Sequence, residues 1–61
     1  NKNYLLSDIK SFEKEIKPYV QKDFIDSLND LKKEVGNEKN QMKLDLLTLF
    51  YLDLKFQIKN N

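Results

Sequence analysis

Apolar side chains recur at steps of three and four along most of this chain, and the only proline and the only glycine, Pro18 and Gly36, cut the series into three runs. Steps of three and four keep side chains on one face of an α-helix. The first run is Leu5, Leu6, Ile9, Phe12 and Ile16, and the second is Val20, Phe24, Leu28, Leu31 and Val35. The third, Leu44, Leu47, Tyr51, Leu54 and Ile58, has the alternating spacing of a heptad seam. This predicts an all-α fold with helices over about 4–16, 18–35 and 40–59. The second stripe continues almost in phase with the first through Pro18, so a three-helix bundle and a helical hairpin with a kinked first arm both satisfy the pattern.

The punctuation gives the expected boundaries. Proline disfavours helical geometry in the residue before it, so the first helix should stop or kink near Lys17. Pro18 then suits the first turn of the next helix, where its missing N–H is no loss. Asn3 or Ser7 can cap the first helix, with Asp8 favourable near its positive end, and Asn37 or Asn40 can cap the third. Gly36 followed by Asn37 reads as a C-terminus closed by a left-handed glycine. The connections are short enough for antiparallel neighbours.

One stretch also fits another structure. Residues 52–59, Leu-Asp-Leu-Lys-Phe-Gln-Ile-Lys, alternate apolar and polar without error, which is the mark of a strand. Such a strand would have to pair with another molecule, because nothing else in the chain resembles a partner strand. The segment is rich in leucine and poor in β-branched residues, which favours the helix.

With 61 residues, the chain is expected to form a single helical domain spanning 1–61. A domain this small buries a modest share of its surface and is marginally stable. It has no cysteine for a disulfide and no histidine or cysteine for a structural zinc. Helix packing or association must do that work instead. The chain starts at Asn1 and not at methionine, so a trimmed, processed or excised piece of a longer chain is expected, and a removed signal peptide would leave no trace.

The available side chains argue against catalysis. Without histidine or cysteine, the commonest general base and the thiol nucleophile are missing. A single glycine cannot build a phosphate-cradling loop. Ser7, Ser11, Ser27 and Thr48 have no neighbour at a spacing that suggests activation. No catalytic residue, cofactor, metal or small-molecule substrate is therefore expected. All eleven basic residues are lysine and the net charge is only +1, a poor match to the arginine-bearing basic faces of nucleic-acid binders. No stretch approaches about 20 uncharged apolar residues, the length needed to span a bilayer as a helix.

Charged residues also fall in rows. Asp23, Asp26, Asp30 and Glu34 follow one side of the second helix, and Lys10, Lys14 and Lys17 edge the first. The plain reading of both is a solvated face. The functional reading of the acidic row is a surface for a basic partner, or a weak cation site that lacks the loop such ions require. Of the tyrosines, Tyr51 belongs to the core seam, while Tyr4 and Tyr19 fit a core border or an interface equally well.

The third helix carries the sharpest expectation. A second apolar set, Met42, Leu46, Leu49, Leu52 and Phe56, projects about 180° from the core seam at 100° per residue, with Phe50 at the margin of the seam. A last helix touching two others needs one broad apolar arc, yet these two sets are opposed. Asp45 and Asp53 project into the second set like the charged rim of a contact patch. The expected function is a non-catalytic protein–protein interaction module whose partner, another protein or a second copy, binds Met42, Leu46, Leu49, Leu52 and Phe56 with Asp45 and Asp53 at the rim. Inhibitors, antitoxins and immunity-type regulators share this size and composition. One alternative is a structural helical segment of a larger surface or scaffold protein. Another is a peripheral membrane-binding module, disfavoured because such helices carry strongly cationic polar faces.

Overall fold

The computed structural model describes residues 2–60. Three α-helices occupy most of that span: α1 (Lys2–Ile16), α2 (Lys22–Asn37) and α3 (Gln41–Lys59). A single 3-10 turn, Lys17–Tyr19, separates α1 from α2. Among the described residues there is no strand, and residues 52–59 are helical to Lys59. The fold is the small three-helix bundle, and not the kinked hairpin.

Pro18 acts one element earlier than its spacing suggests. It lies in the 3-10 turn and not in the first turn of α2. Val20 and Gln21 are then extended, with ψ near 160°, so the chain reverses fully before α2 begins. The two apolar stripes therefore belong to two packed helices. At the start of α1, helix already includes Lys2, so neither Asn3 nor Ser7 stands at the cap position.

The end of α2 departs from expectation for a physical reason. Gly36 is not left-handed, because no residue described has a positive φ, and the helix runs through it to Asn37. A left-handed glycine serves to satisfy the last carbonyls of a helix. Here Lys2 does so from α1: its Nζ donates to the carbonyls of Gly36 at 3.0 Å and Glu38 at 3.2 Å. A cation at this position also complements the negative end of the α2 dipole. Asn40 caps α3 as expected, its side-chain oxygen accepting from the Lys43 amide at 3.2 Å.

The core is made by one stripe from each helix: Ile9, Phe12 and Ile16; Ile25, Leu28, Leu31 and Val35; Leu44 and Tyr51. Leu5, Leu6, Val20, Phe24, Leu47 and Ile58 close its margins. Ile25 is the core member outside the predicted stripes. It lies one residue from Phe24 and shares the inward side of α2, where Phe24 is only half-buried. At the centre, the Phe12 and Tyr51 rings meet edge to face, with centroids 5.9 Å apart, the arrangement that brings a ring's positive edge to its neighbour's negative face.

Candidate interaction surface on the third helix

Helix α3 has two apolar sides because of its spacing, and the bundle covers one of them. Leu44 and Tyr51 are buried, Leu47 and Ile58 are half-buried against the core, and Leu54 is half-buried. On the far side, Met42, Leu46, Leu49, Leu52 and Phe56 keep between 49% and 74% of their surface exposed. Met42, Leu49 and Phe56 are seven residues apart and form the central line of that face, about 21 Å long at 1.5 Å per residue. Leu46 with Asp53 flanks the line on one side, and Leu52 with Asp45 flanks it on the other. The predicted set is thus one continuous surface.

The two carboxylates are held flat along the helix. Gln41 donates to Asp45 at 2.9 Å and Gln57 donates to Asp53 at 2.9 Å. Each is an i, i+4 pair, which brings side chains together on a helix surface. The pattern is nearly symmetric about Leu49: Gln41 matches Gln57, Met42 matches Phe56, Asp45 matches Asp53 and Leu46 matches Leu52. The face therefore presents similar chemistry read from either end.

Phe50 does not join the core margin. It is 56% exposed and stands over the groove between α2 and α3 beside Leu31, Leu47, Asp30 and Glu34. Its wheel position, about 80° from the centre of the seam at 100° per residue, is the sequence signal for this. Tyr4 and Tyr19 are also largely exposed, which settles them outside the core.

On the inward side, a polar cluster that spacing does not reveal fastens α3 to α1. The Tyr51 hydroxyl donates to the Asp8 carboxylate, and Lys55 Nζ lies 2.9 Å from the same oxygen. That ammonium is also 5.8 Å from the Phe12 ring centroid and 5.6 Å from that of Tyr51, within cation–π range. The Tyr51 hydrogen bond, then the Lys55 one, hold the Asp8 carboxyl below its usual value. Burial, then the Asp8 hydrogen bond, push the Tyr51 phenol well above its usual value. Both groups are moved away from neutral pH, the reverse of what general acid–base chemistry requires. The cluster is a fastener.

Among the described residues, no group of three or more acidic, histidine or cysteine side chains is arranged to hold a metal ion. No described helix is long and apolar enough to cross a membrane. No protein-family model matches the chain, and comparisons with curated proteins and with solved structures find no significant match.

Proposed function

We propose that this chain is a non-catalytic protein–protein interaction module that docks through the outer face of α3. One observation carries the reading. Five large apolar side chains, Met42, Leu46, Leu49, Leu52 and Phe56, lie in contiguous exposed rows on a helix whose opposite side is already in the core. Apolar patches of more than a few hundred Å² are uncommon on monomeric proteins and mark contact sites. Asp45 and Asp53 supply the polar rim. A lipid surface is a poorer occupant, because these carboxylates stand where a membrane-binding helix places lysines. Inhibitory or immunity-type regulation of another protein and a structural place in a larger assembly both use this surface.

A photo-crosslinking residue in place of Leu49 tests the proposal in the native host, with the same residue at Lys33 as a control. A discrete adduct from position 49, absent from position 33, is the expected result. Sedimentation equilibrium over a hundredfold concentration range then separates a second copy from a different protein. A strictly monomeric chain with no adduct from position 49 would refute the reading.

A further inference from the structure

The groove between α2 and α3 has an apolar floor and an acidic wall. Leu31, Leu47 and Phe50 line a solvent-open hollow of about 390 Å³ at its middle, with Asp30 and Glu34 on the α2 side. A second hollow adjoins it through Glu34 and Leu47 and extends to Glu38 and Leu46. Asp30 and Glu34 follow one another at a four-residue step along α2, Glu38 lies just past its end with its carboxylate accepting from the Asn40 amide at 3.1 Å, and Lys43 is the lysine lining that end. Like charges at this spacing on a helix repel.

Charge pairing is uneven among the described residues: the α1 carboxylates are paired with lysines, while those of α2, like Asp45 and Asp53 of α3, are not. Every carboxylate of α1 has a lysine: Asp8 with Lys55 at 2.9 Å, Glu13 with Lys32 at 2.8 Å and Glu15 with Lys59 at 3.7 Å. Among the described residues, the carboxylates of α2 have none within 4 Å. Asp30 and Glu34 are exposed and unneutralised beside exposed apolar surface.

We propose that this groove seats a cationic amphipathic helix of another protein, completing a four-helix arrangement. Its apolar stripe covers Leu31, Leu47 and Phe50, and lysines or arginines at three- and four-residue steps meet Asp30, Glu34 and Glu38. The proposal rests on the reading of the chain as an interaction module and names the chemistry of the partner. A second copy does not fit. The basic edge of α1, Lys10 and Lys14, has no exposed large apolar side chain beside it, since Tyr4 lies at the other end of that helix. The apolar face of α3 carries Asp45 and Asp53 instead of cations. A copy's basic edge on α1 thus lacks apolar surface, and the central apolar face of its α3 carries carboxylates where this groove calls for cations.

A fluorescein-labelled 18-residue leucine–lysine amphipathic peptide is the probe, with a leucine–glutamate peptide of the same pattern as its counterpart. Fluorescence anisotropy should show saturable one-to-one binding of the lysine peptide, weakened by salt, and none of the glutamate peptide. Asp30→Lys with Glu34→Lys, and separately Phe50→Asp, should each weaken binding at least tenfold while circular dichroism shows the fold retained. Equal binding of both peptides, no binding of either, or an unchanged affinity for the Asp30→Lys, Glu34→Lys variant overturns the proposal. Leu49→Gln with Phe56→Gln separates the two readings. If these changes abolish peptide binding and the acidic-wall changes do not, the groove proposal falls and docking through the outer face stands.

Discussion

Replacing Leu49 by lysine tests whether the outer face of α3 is free of the fold. Leu49 keeps 63% of its surface exposed, so about a third of its burial is at stake. Full burial of a leucine contributes about 1.5–3 kcal/mol, which makes the loss roughly 0.5–1 kcal/mol. Lysine and leucine have nearly equal helix propensity, so the backbone is unaffected. The new ammonium stands four residues from both Asp45 and Asp53, and each such pair contributes about 0.2–0.5 kcal/mol. The terms nearly cancel. The expected shift in melting temperature is within about 4 °C, at roughly 4–8 °C per kcal/mol for a domain of this size. Leu44→Ala on the opposite side of the same helix is the control. Leu44 is buried, and truncating a core leucine costs about 2–5 kcal/mol. Thermal melts by circular dichroism, run at two protein concentrations, compare the variants. If Leu49→Lys destabilises as much as Leu44→Ala, position 49 is part of the core and the docking reading fails. If the wild-type midpoint rises with concentration and the Leu49→Lys midpoint does not, the face is occupied by a second copy.

Other expectations follow from single contacts. Gly36→Ala should raise stability by about 0.5–1 kcal/mol, since alanine is the better residue in a helix, φ is not positive there and nothing lies within 4 Å of the added Cβ; a loss of stability in urea titration would contradict the helical geometry. Leu28→Ala, at a fully buried site, should cost about 2–5 kcal/mol and leave the chain largely unfolded at room temperature. Tyr51→Phe keeps the ring against Phe12 but removes the bond to Asp8; a hydrogen bond to a charged group contributes about 1.5–3 kcal/mol, and the exposure of the Asp8 carboxylate puts the expected loss at the low end of that range. The pH profile carries the sign. The folded value of Asp8 is below its unfolded value, so this contribution is complete above about pH 4 and is lost as pH falls through the folded value. The folded value of Tyr51 is above its unfolded value of about 10, so its contribution is complete below that pH and is lost as pH rises beyond it. Tyr51→Phe should flatten both ends of the stability–pH curve, and parallel curves for the two proteins would rule out the fastener.

Periodicity made the helices legible, and the parts it missed are those where a contact between helices replaces a local signal. Leu44, Leu47, Tyr51, Leu54 and Ile58 repeat closely enough to mark the inward side of α3 without any structure. Gly36 departs from the rule for helix ends because that rule assumes that a helix satisfies its own carbonyls, and here Lys2, 34 residues away, does so. The geometry of Pro18 suits the first turn of α2, but a 3-10 turn accepts the same geometry and gives the chain room to reverse. Asp8 looked like a dipole partner by position along α1, whereas its carboxylate is engaged by Tyr51 and Lys55 from another helix. The spacing of the acidic row on α2 gives no neighbour to Asp30 and Glu34, the part of it that lines the groove. It becomes a groove wall only once Leu47 and Phe50 are set beside it.

The strand-like stretch 52–59 joins the fold to the proposed function. At 100° per residue, side chains two apart differ by 200°, so a helix whose successive apolar residues alternate between two opposed faces shows a near-perfect period of two. Leu52 and Phe56 are exposed on the outer side, while Ile58 packs against the core and Leu54 is half-buried. Asp53, Lys55, Gln57 and Lys59 fill the remaining polar positions. The alternation that suggested a strand is therefore the signature of a helix with two apolar sides. Neither α1 nor α2 covers the outer side: both pack on the Leu44–Tyr51 side, where the shared core of Ile9, Phe12, Leu28 and Val35 holds them. Covering both sides would split those two helices across α3 and leave each with half a core. Among the described residues no further helix lies over the outer side of α3, and the proposed function assigns that side to another molecule.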